Sequence, residues 1–329
     1  MKRRIKIDLF LQGVNKTTRP YTKMTTAIET YLNSLSEDIS IIDISSKNID
    51  YIPDLSRFKN LEVLYCYKNK LTSLPNLPQN LTTLICHDNN LTSLSTLPQN
   101  LKILYCSKNQ LTSLPTLPQN LKKLYCSKNQ LTSLPTLPQN LKILNCCNNK
   151  LTCLSSLPQN LKILNCSENQ LSLLPILPQD IIYLNCSENQ LSLLHNLPQN
   201  LVELYCYNNK LTSLPALPQN LEILNCSENQ LTLLPTLPQN LENLICDNNP
   251  IYKIVNNNNL IQIKKYIKIL NNFRYLYYCL KFKTQLRNYW LWEKVREPII
   301  MKKYHPNYLL ENLGEDDDLD IVLNNWINK

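Results

Sequence analysis

The sequence predicts an α/β solenoid, in which short parallel β-strands stack side by side, the return segments are mostly extended, and a helix lies at each end. Three observations predict it. Residues 101–120 recur almost unchanged as residues 121–140, and variants of this unit fill residues 61–254. Each unit has too few apolar residues to form a core alone, so neighbouring units must stack. Most units also carry two prolines in an LPxLP pattern, which disfavours helix in the return segment.

The composition agrees with one long repeat array. The chain has 329 residues, of which 43% are hydrophobic and only 2 are glycine, and its formal net charge is +9. This charge permits acidic partners without requiring them. No apolar run reaches the roughly 18 residues that a membrane helix needs, and Asp8 interrupts the apolar run after the basic start, which argues against a signal peptide. We therefore expect an intracellular, cytoplasmic and monomeric protein.

The repeat divides the chain into three parts. These are an N-terminal helical cap at residues 1–38, a solenoid of about 11 repeats at residues 39–254, and a helical C-terminal module at residues 255–329. In the cap, Thr26 and Glu29 have the spacing of a capping box. Apolar residues recur there at helical intervals, namely Ala27, Ile28, Tyr31, Leu32 and Leu35. This pattern predicts a short helix that begins near Thr26 and covers the open end of the solenoid core.

The repeat itself has a specific pattern. A degenerate copy with Ile39, Ile42 and Ile44 precedes ten regular copies that follow LxxLxCxxNxLxxLPxLPxN with few departures. The pattern resembles the leucine-rich repeat family, whose LxxLxLxxNxL core is matched with Cys in place of the third Leu. The resemblance implies a horseshoe with a short parallel strand per repeat on its concave face. The 20-residue length with LPxLP is similar to the shortest class of these repeats, familiar from bacterial effectors, whose convex side is extended.

Within each copy, strand alternation separates core positions from surface positions. In the copy that starts at residue 101, Leu101, Leu104 and Cys106 are predicted to point inward. The side chains expected on or near the exposed strand face are Lys102, Ile103, Tyr105 and Ser107.

An asparagine recurs at position nine of every regular copy. An amide carries both a donor and an acceptor, so it can satisfy backbone groups of its own and the adjacent repeat. Because the chain has only 2 glycines, these asparagines are also expected to adopt the left-handed conformations of the turn. The ladder is predicted to be structural, and it consists of Asn69, Asn89, Asn109, Asn129, Asn149, Asn169, Asn189, Asn209, Asn229 and Asn249.

A cysteine recurs at position six and forms a single file at the strand spacing of about 4.7 to 4.9 Å. A single file offers no tetrahedral zinc site, and this spacing exceeds the roughly 3.8 Å between the Cβ atoms of a disulfide. We therefore predict buried free thiols that pack as apolar groups, in a reducing compartment. They are Cys66, Cys86, Cys106, Cys126, Cys146, Cys166, Cys186, Cys206, Cys226 and Cys246, with Cys147, Cys153 and Cys279 outside the ladder.

Recognition is predicted at the variable positions of the exposed strand face. The early copies are basic and aromatic there, and the later copies are acidic and rich in amides. Aromatic residues are enriched at interface hot spots, and a charge gradient can orient a partner. The alternative is that this face is only solvated and binds no partner, and that its blocks of like charge arose by gene duplication and drift. The predicted protein-binding residues are Tyr65, Tyr67, Lys102, Tyr105, Lys122, Lys123, Tyr125, Glu203, Tyr205 and Tyr207.

The sequence also suggests two alternatives to a protein-binding scaffold, namely nucleic-acid binding and a ubiquitin-ligase role. Lysines interleaved with tyrosines also suit nucleic acid, through phosphate neutralisation and base stacking, although the acidic later copies would repel it. Bacterial effectors that the repeats resemble place them before a cysteine-dependent ubiquitin-ligase domain. Here Cys279 is followed by Leu280 and Lys281 instead of the acidic residue that the ligase motif requires.

The search for catalytic and metal-binding motifs is negative. The chain contains no Gly-rich phosphate loop, no Cys-x-x-Cys pair, no metal-binding His pair and no nucleophile elbow. His87 and His195 have no companion base or nucleophile and are predicted to be ordinary surface residues. We therefore predict a protein that is not an enzyme and that has no cofactor and no metal.

The composition changes after the asparagines at residues 256–259. Helical spacing predicts segments at 260–270 and 271–297, the second ending before Pro298, and a later helix capped by Asp318. Trp290, Trp292 and Trp326 are expected to support a small core or docking face, with folding back onto the solenoid as the alternative. The run at residues 288–313 resembles a C-terminal module of repeat proteins of giant double-stranded DNA viruses. Under that resemblance, the partner is a host protein.

Overall fold

The computed structural model describes residues 20–252 and 260–285. Two helices, α1 (Pro20–Ser34) and α2 (Leu260–Gln285), flank eleven parallel strands that pair in chain order within one sheet. The strands are β1 (Ile41–Asp43), β2 (Val63–Tyr65), β3 (Thr83–Ile85), β4 (Ile103–Tyr105), β5 (Lys123–Tyr125), β6 (Ile143–Asn145), β7 (Ile163–Asn165), β8 (Tyr183–Asn185), β9 (Glu203–Tyr205), β10 (Ile223–Asn225) and β11 (Asn243–Ile245). The return segments between these strands contain no helix. The predicted α/β solenoid with a parallel sheet and a helical C-terminal piece is confirmed.

The pairing register advances by one whole repeat from strand to strand. Leu104 of β4 pairs with Leu124 of β5. Backbone hydrogen bonds extend this register beyond the strands, as where the Lys122 N–H donates to the Lys102 carbonyl over 2.8 Å. Each repeat position therefore forms a continuous column along the solenoid, and a residue's neighbours in space are the residues 20 positions before and after it.

The core is built from the leucine and cysteine columns. Leu124 and Cys106 have no exposed surface, and the ten ladder cysteines are all free and buried. Because burial disfavours the thiolate, it raises the pKa of the Cys106 and Cys146 thiols to about 12. The prediction of free thiols packed in the core is confirmed. Of the cysteines outside the ladder, Cys147 is half-buried and Cys153 is exposed.

The asparagine ladder ties each repeat to the one before it. The Asn129 amide nitrogen donates to the carbonyls of Cys126 at 3.0 Å, Cys106 at 3.1 Å and Ser127 at 3.2 Å. The Asn129 Oδ1 atom accepts a 3.0 Å hydrogen bond from the Leu111 N–H. The same set of bonds recurs along the ladder, so the predicted role in satisfying backbone groups of two adjacent repeats is confirmed.

The left-handed residue of each turn is the one before the ladder asparagine, which corrects the prediction that the asparagine itself adopts this conformation. The ladder side chain must point inward to reach the carbonyls, so the preceding residue makes the turn. In the repeats that start at residues 61 to 241, the positive φ angles lie between 50° and 61°. These residues are Lys68, Asp88, Lys108, Lys128, Asn148, Glu168, Glu188, Asn208, Glu228 and Asn248.

We expect Glu228→Asn to raise the free energy of unfolding by about 0.5 to 1 kcal/mol, because asparagine tolerates the left-handed region better than other residues with a Cβ atom. Glu228 is exposed and has a φ of 53°. Urea unfolding would measure the change. Gln230→Asn is the matched control, since Gln230 is exposed and lies outside the residues with positive φ. An equal gain from the control would contradict the prediction.

Helix α1 closes the N-terminal end of the core. It begins at Pro20, so Thr26 lies inside the helix and the capping box predicted there is wrong. Proline at the first helical position lacks only an N–H that would have no intrahelical partner. Ile28 and Leu32 are buried in the same apolar cluster as the repeats, and the Arg57 guanidinium donates to the Leu32 carbonyl.

Helix α2 closes the opposite end. It runs without interruption through Asn271, where the sequence predicts a boundary between two helical segments. The amide of Asn271 is used in packing, because it donates to the Leu234 carbonyl over 3.2 Å. Ile263 and Ile267 join the core cluster of the solenoid. The predictions about Trp290, Trp292, Pro298, Asp318 and Trp326 lie outside the described residues.

Candidate functional site

The open face of the sheet carries the variable positions. On each strand from β1 to β10 the central residue is buried, and the residues before and after it are half-buried. These flanking residues are positions three and five of the repeat. Their columns, together with the half-buried position-seven residues Tyr67, His87 and Tyr207, form the surface that we call the open face. A ligand there would contact side chains from many repeats at once.

Stacked aromatic rings occupy the N-terminal half of the open face. Tyr105 and Tyr125 are parallel, with ring centroids 4.1 Å apart and an interplanar angle of 8°. Tyr67 stacks on His87 with centroids 4.8 Å apart, and Tyr65 meets Tyr67 edge to face at 6.5 Å. We call these five residues the aromatic cluster. The rings already pack in two sets, Tyr65 with Tyr67 and His87 and Tyr105 with Tyr125, so a partner would meet ordered apolar surfaces at little further cost in side-chain entropy.

Burial changes the ionisation of this cluster. Burial, together with a hydrogen bond to Tyr125, raises the pKa of Tyr105 to about 12. Burial also lowers the pKa of His87. Both shifts favour the neutral forms near neutral pH, so Tyr105 and His87 add no charge to the cluster. His87 was expected to be an ordinary surface residue, whereas the structure stacks it on Tyr67. Tyr67 occupies the same repeat position as His87 in the preceding copy. The contact between them can therefore be found in the sequence only by aligning the copies position by position.

Lysines surround the aromatic cluster. Lys123 lies on β5 in the column between Ile103 and Ile143, and Lys102 and Lys122 are exposed at position two. The position-two column continues with Lys142 and Lys162, which are also exposed and were not among the predicted binding residues. Four stacked lysines beside the cluster form a strip of positive potential on this part of the molecule.

The remaining predicted residues form a second group on later repeats. The Tyr205 hydroxyl donates to Glu203 over 3.0 Å, and the Tyr207 hydroxyl donates to Glu188 over 3.1 Å. The Tyr183 and Tyr205 rings are 5.7 Å apart and tilted by 42°. Burial and the bond to Glu188 raise the pKa of Tyr207 to about 12. Tyr205 and Tyr207 each hold a glutamate carboxylate by a hydrogen bond. The second group is therefore acidic, whereas the surface next to the aromatic cluster is basic.

Amide side chains separate the two groups. Asn145, Asn165 and Asn185 follow one another in the position-five column. The Asn165 Oδ1 atom accepts hydrogen bonds from the Ser167 N–H at 3.1 Å and the Ser167 hydroxyl at 2.8 Å. The ten predicted binding residues thus all lie on the surface of the sheet side, but in two groups with a polar spacer between them instead of one site.

The described residues contain no group of three or more side chains able to hold a metal ion. Cys279 belongs to α2, and its side chain lies outside the described part of the chain. Among the helices that the structure describes, none has both the length and the apolar character needed to cross a membrane.

Two segments match known repeat families. Residues 119–159 match Leucine Rich repeats (2 copies), and residues 220–241 match Leucine Rich Repeat. No curated protein matches the sequence.

Solved structures share the fold. YopM from Yersinia enterocolitica WA-314 is 39% identical with a TM-score of 0.64, over 66% of this chain and 48% of YopM, so the match spans about half of YopM's length. The leucine-rich repeat domain of APL1B is 20% identical with a TM-score of 0.54, over 72% of this chain and 82% of that domain. TLR13 in its complex with ssRNA13 is 22% identical with a TM-score of 0.54, over 68% of this chain and 38% of TLR13. The last two likenesses show the fold alone.

Proposed function

Because this chain is a solenoid of leucine-rich repeats, we propose that it is a non-catalytic scaffold that binds a protein partner on the open face of its sheet. The fold is typical of protein–protein interaction scaffolds, since stacked repeats create an extended and rigid surface. Leucine-rich repeat proteins are in general non-catalytic, and a scaffold needs none of the catalytic groups that the sequence lacks.

The aromatic cluster carries the proposal. A solvated face needs only polar side chains, yet this face presents stacked Tyr105 and Tyr125 rings and the Tyr67–His87 pair. Tyrosine is enriched at interface hot spots because it offers a large contact area together with a hydroxyl that can hydrogen-bond at the rim. We assign the centre of the interface to this cluster.

The charged side chains near the aromatic cluster and on the later repeats indicate which charges the partner's surface should carry. Lys102, Lys122 and Lys123 next to the cluster favour an acidic segment over the aromatic rings. Glu203 and Glu188, held by Tyr205 and Tyr207 on later repeats, favour basic residues farther along the same partner. The resemblance of residues 288–313 to a module of giant-virus proteins supports a host protein as that partner.

The two alternative functions have weaker support. A nucleic acid would use the lysines and stacked tyrosines, but its phosphates would be repelled by the carboxylates of the acidic group. A ubiquitin-ligase role would need a catalytic cysteine, and Cys279 lacks the acidic neighbour of the ligase motif. Both would give the same fold, so the binding experiment must distinguish them.

We expect Tyr105→Ala combined with Tyr125→Ala to weaken partner binding at least tenfold, because the substitutions remove the stacked pair of the aromatic cluster. The stacked pair also stabilises the sheet, so the unfolding free energy should fall by about 1 to 2 kcal/mol without loss of the fold. Quantitative affinity capture from host-cell extract, with and without nuclease, would measure binding. Circular dichroism would verify folding.

The matched control for this pair is Thr116→Ala with Thr136→Ala. These threonines are exposed on the return segments of the same two repeats. Capture that survives the tyrosine changes, or that falls equally with the threonine changes, would overturn the assignment of the open face. Capture that is lost on nuclease treatment would favour nucleic acid over protein.

A further inference from the structure

The later part of the position-two column, after Lys122, has an ordered sequence of side chains that the proposed function does not use. The position-two residues of six successive repeats are joined by backbone hydrogen bonds, each residue's N–H donating to the carbonyl of the previous one over 2.8 to 2.9 Å. We call these residues the charged row. In order along the solenoid they are Lys142, Lys162, Ile182, Val202, Glu222 and Glu242.

The charged row lies at the surface. The two lysines and the two glutamates are exposed, Val202 is half-buried, and Ile182 is 42% exposed. Ile182 is one of few large apolar side chains with this much exposure in the described part of the solenoid. An isoleucine in a solvated column has no role in the core of this repeat, because the inward positions one, four and six are already filled.

The order of the row is self-complementary under a two-fold rotation. It reads basic, basic, apolar, apolar, acidic, acidic, so a reversed copy presents acidic residues opposite the basic ones. A two-fold axis between Ile182 and Val202 would bring Lys162 opposite Glu222 of the partner subunit and Lys142 opposite Glu242 of the partner subunit. Ile182 would then meet the partner subunit's Val202. Each contact occurs twice, as in any isologous interface.

From this order we propose that the charged row is the interface of an antiparallel homodimer. The spacing supports it, because both rows are columns of the same solenoid and therefore share the strand spacing of about 4.7 to 4.9 Å. All six positions consequently stay in register, which a partner of different architecture would not guarantee. A parallel arrangement would place like charges opposite each other, so the antiparallel arrangement is the one that charge complementarity selects.

Adjacent columns are compatible with the same axis. At position three, the rotation brings Tyr183 opposite Glu203 of the partner subunit, and a phenol can donate to a carboxylate. At position twenty, Asp180 faces Asn200 of the partner subunit. In the isolated chain, by contrast, Lys142 and Lys162 stand next to each other in one column. Dimerisation would relieve that repulsion while it covers Ile182.

The proposal concerns the strand-start side of the repeats and does not rest on the aromatic cluster. It also replaces the expectation of a monomer. Since exposed ion pairs are screened by salt, the dimer should dissociate as the salt concentration rises.

The test measures the oligomeric state of the full chain by sedimentation equilibrium over a range of concentrations at low and high NaCl. We expect a dimer at low salt with a dissociation constant that rises at least tenfold at high salt. One variant carries Lys142→Glu with Lys162→Glu, and a second carries Glu222→Lys with Glu242→Lys. Each should be monomeric alone, and an equal mixture of the two should form a heterodimer, because all four charge pairs are then opposite in sign, two as in the unmodified chain and two with their charges exchanged.

The control variant is Lys150→Glu with Lys210→Glu, which makes the same change in net charge on exposed residues at position ten. It should dimerise like the unmodified chain, and circular dichroism should show that all variants are folded. A chain that stays monomeric at every concentration would overturn the proposal. So would a dimer that persists in both row variants, or a mixture of them that fails to associate.

Discussion

Leu124→Ala is expected to lower the free energy of unfolding by about 2 to 5 kcal/mol, the range for deleting a buried leucine side chain. Leu124 is the central residue of β5 and has no exposed surface. It packs in the leucine column between Leu104 and Leu144. Neighbouring repeats cannot move together to fill the cavity, because the hydrogen bonds of the sheet hold their spacing. Urea unfolding followed by circular dichroism would measure the loss.

Lys123→Ala is the control for this prediction. Lys123 precedes Leu124 on the same strand but is half-buried on the open face. A surface substitution of this kind usually changes stability by less than about 0.5 kcal/mol. If both variants lost the same amount, the inward and outward assignments of the repeat would be wrong, since they predict opposite environments for the two side chains.

Asn129→Ala is expected to cost about 2 to 4 kcal/mol, although it removes little apolar surface. The Leu111 N–H loses its acceptor, and a buried donor left unsatisfied costs about 1 to 3 kcal/mol. The carbonyls of Cys106 and Cys126 each lose one of two bonds but keep the bond from the Asn109 and Asn149 amides respectively. The variant therefore weakens the link between two adjacent repeats without breaking the ladder. Urea unfolding would again give the change.

A second asparagine column supplies a matched control for the ladder. Asn120 is exposed and its amide donates a single 3.1 Å hydrogen bond to the Gln99 carbonyl. Asn120→Ala should cost less than about 1 kcal/mol, because water can replace that bond. Equal losses at Asn120 and Asn129 would mean that burial does not decide the contribution of these amides, contrary to what the structure indicates.

The fold was predictable from the sequence because it follows from a period. A repeat of 20 residues requires equivalent positions to stack, and alternation then separates the buried Leu104 from the half-buried Tyr105. The burial of the ladder cysteines followed from the same argument, as did the hydrogen bonds of Asn129. These properties depend on the residue types of one unit and on the presence of neighbours on both sides.

The binding residues were predictable only as members of a surface. Tyr105 and Tyr205 occupy the same repeat position, and the sequence assigned both to one candidate face. The structure shows that Tyr105 stacks on Tyr125, whereas Tyr205 donates to Glu203. The difference arises because each side chain's contacts come from the repeats before and after it, and those repeats carry different residues. His87 was missed for the same reason.

The sequence alone determined the period, the core positions and the two ladders, because these are set by interactions that every copy repeats. Only the tertiary structure decided which residue takes the left-handed turn, where α1 begins, and that α2 continues through Asn271 to close the core. The two helix features depend on contacts made once, at an end of the solenoid, whereas the turn depends in every repeat on where the ladder side chain must point. The period alone places Lys162, Ile182, Val202 and Glu222 in one column, and the structure adds how far each side chain is exposed, because exposure depends on the neighbouring repeats.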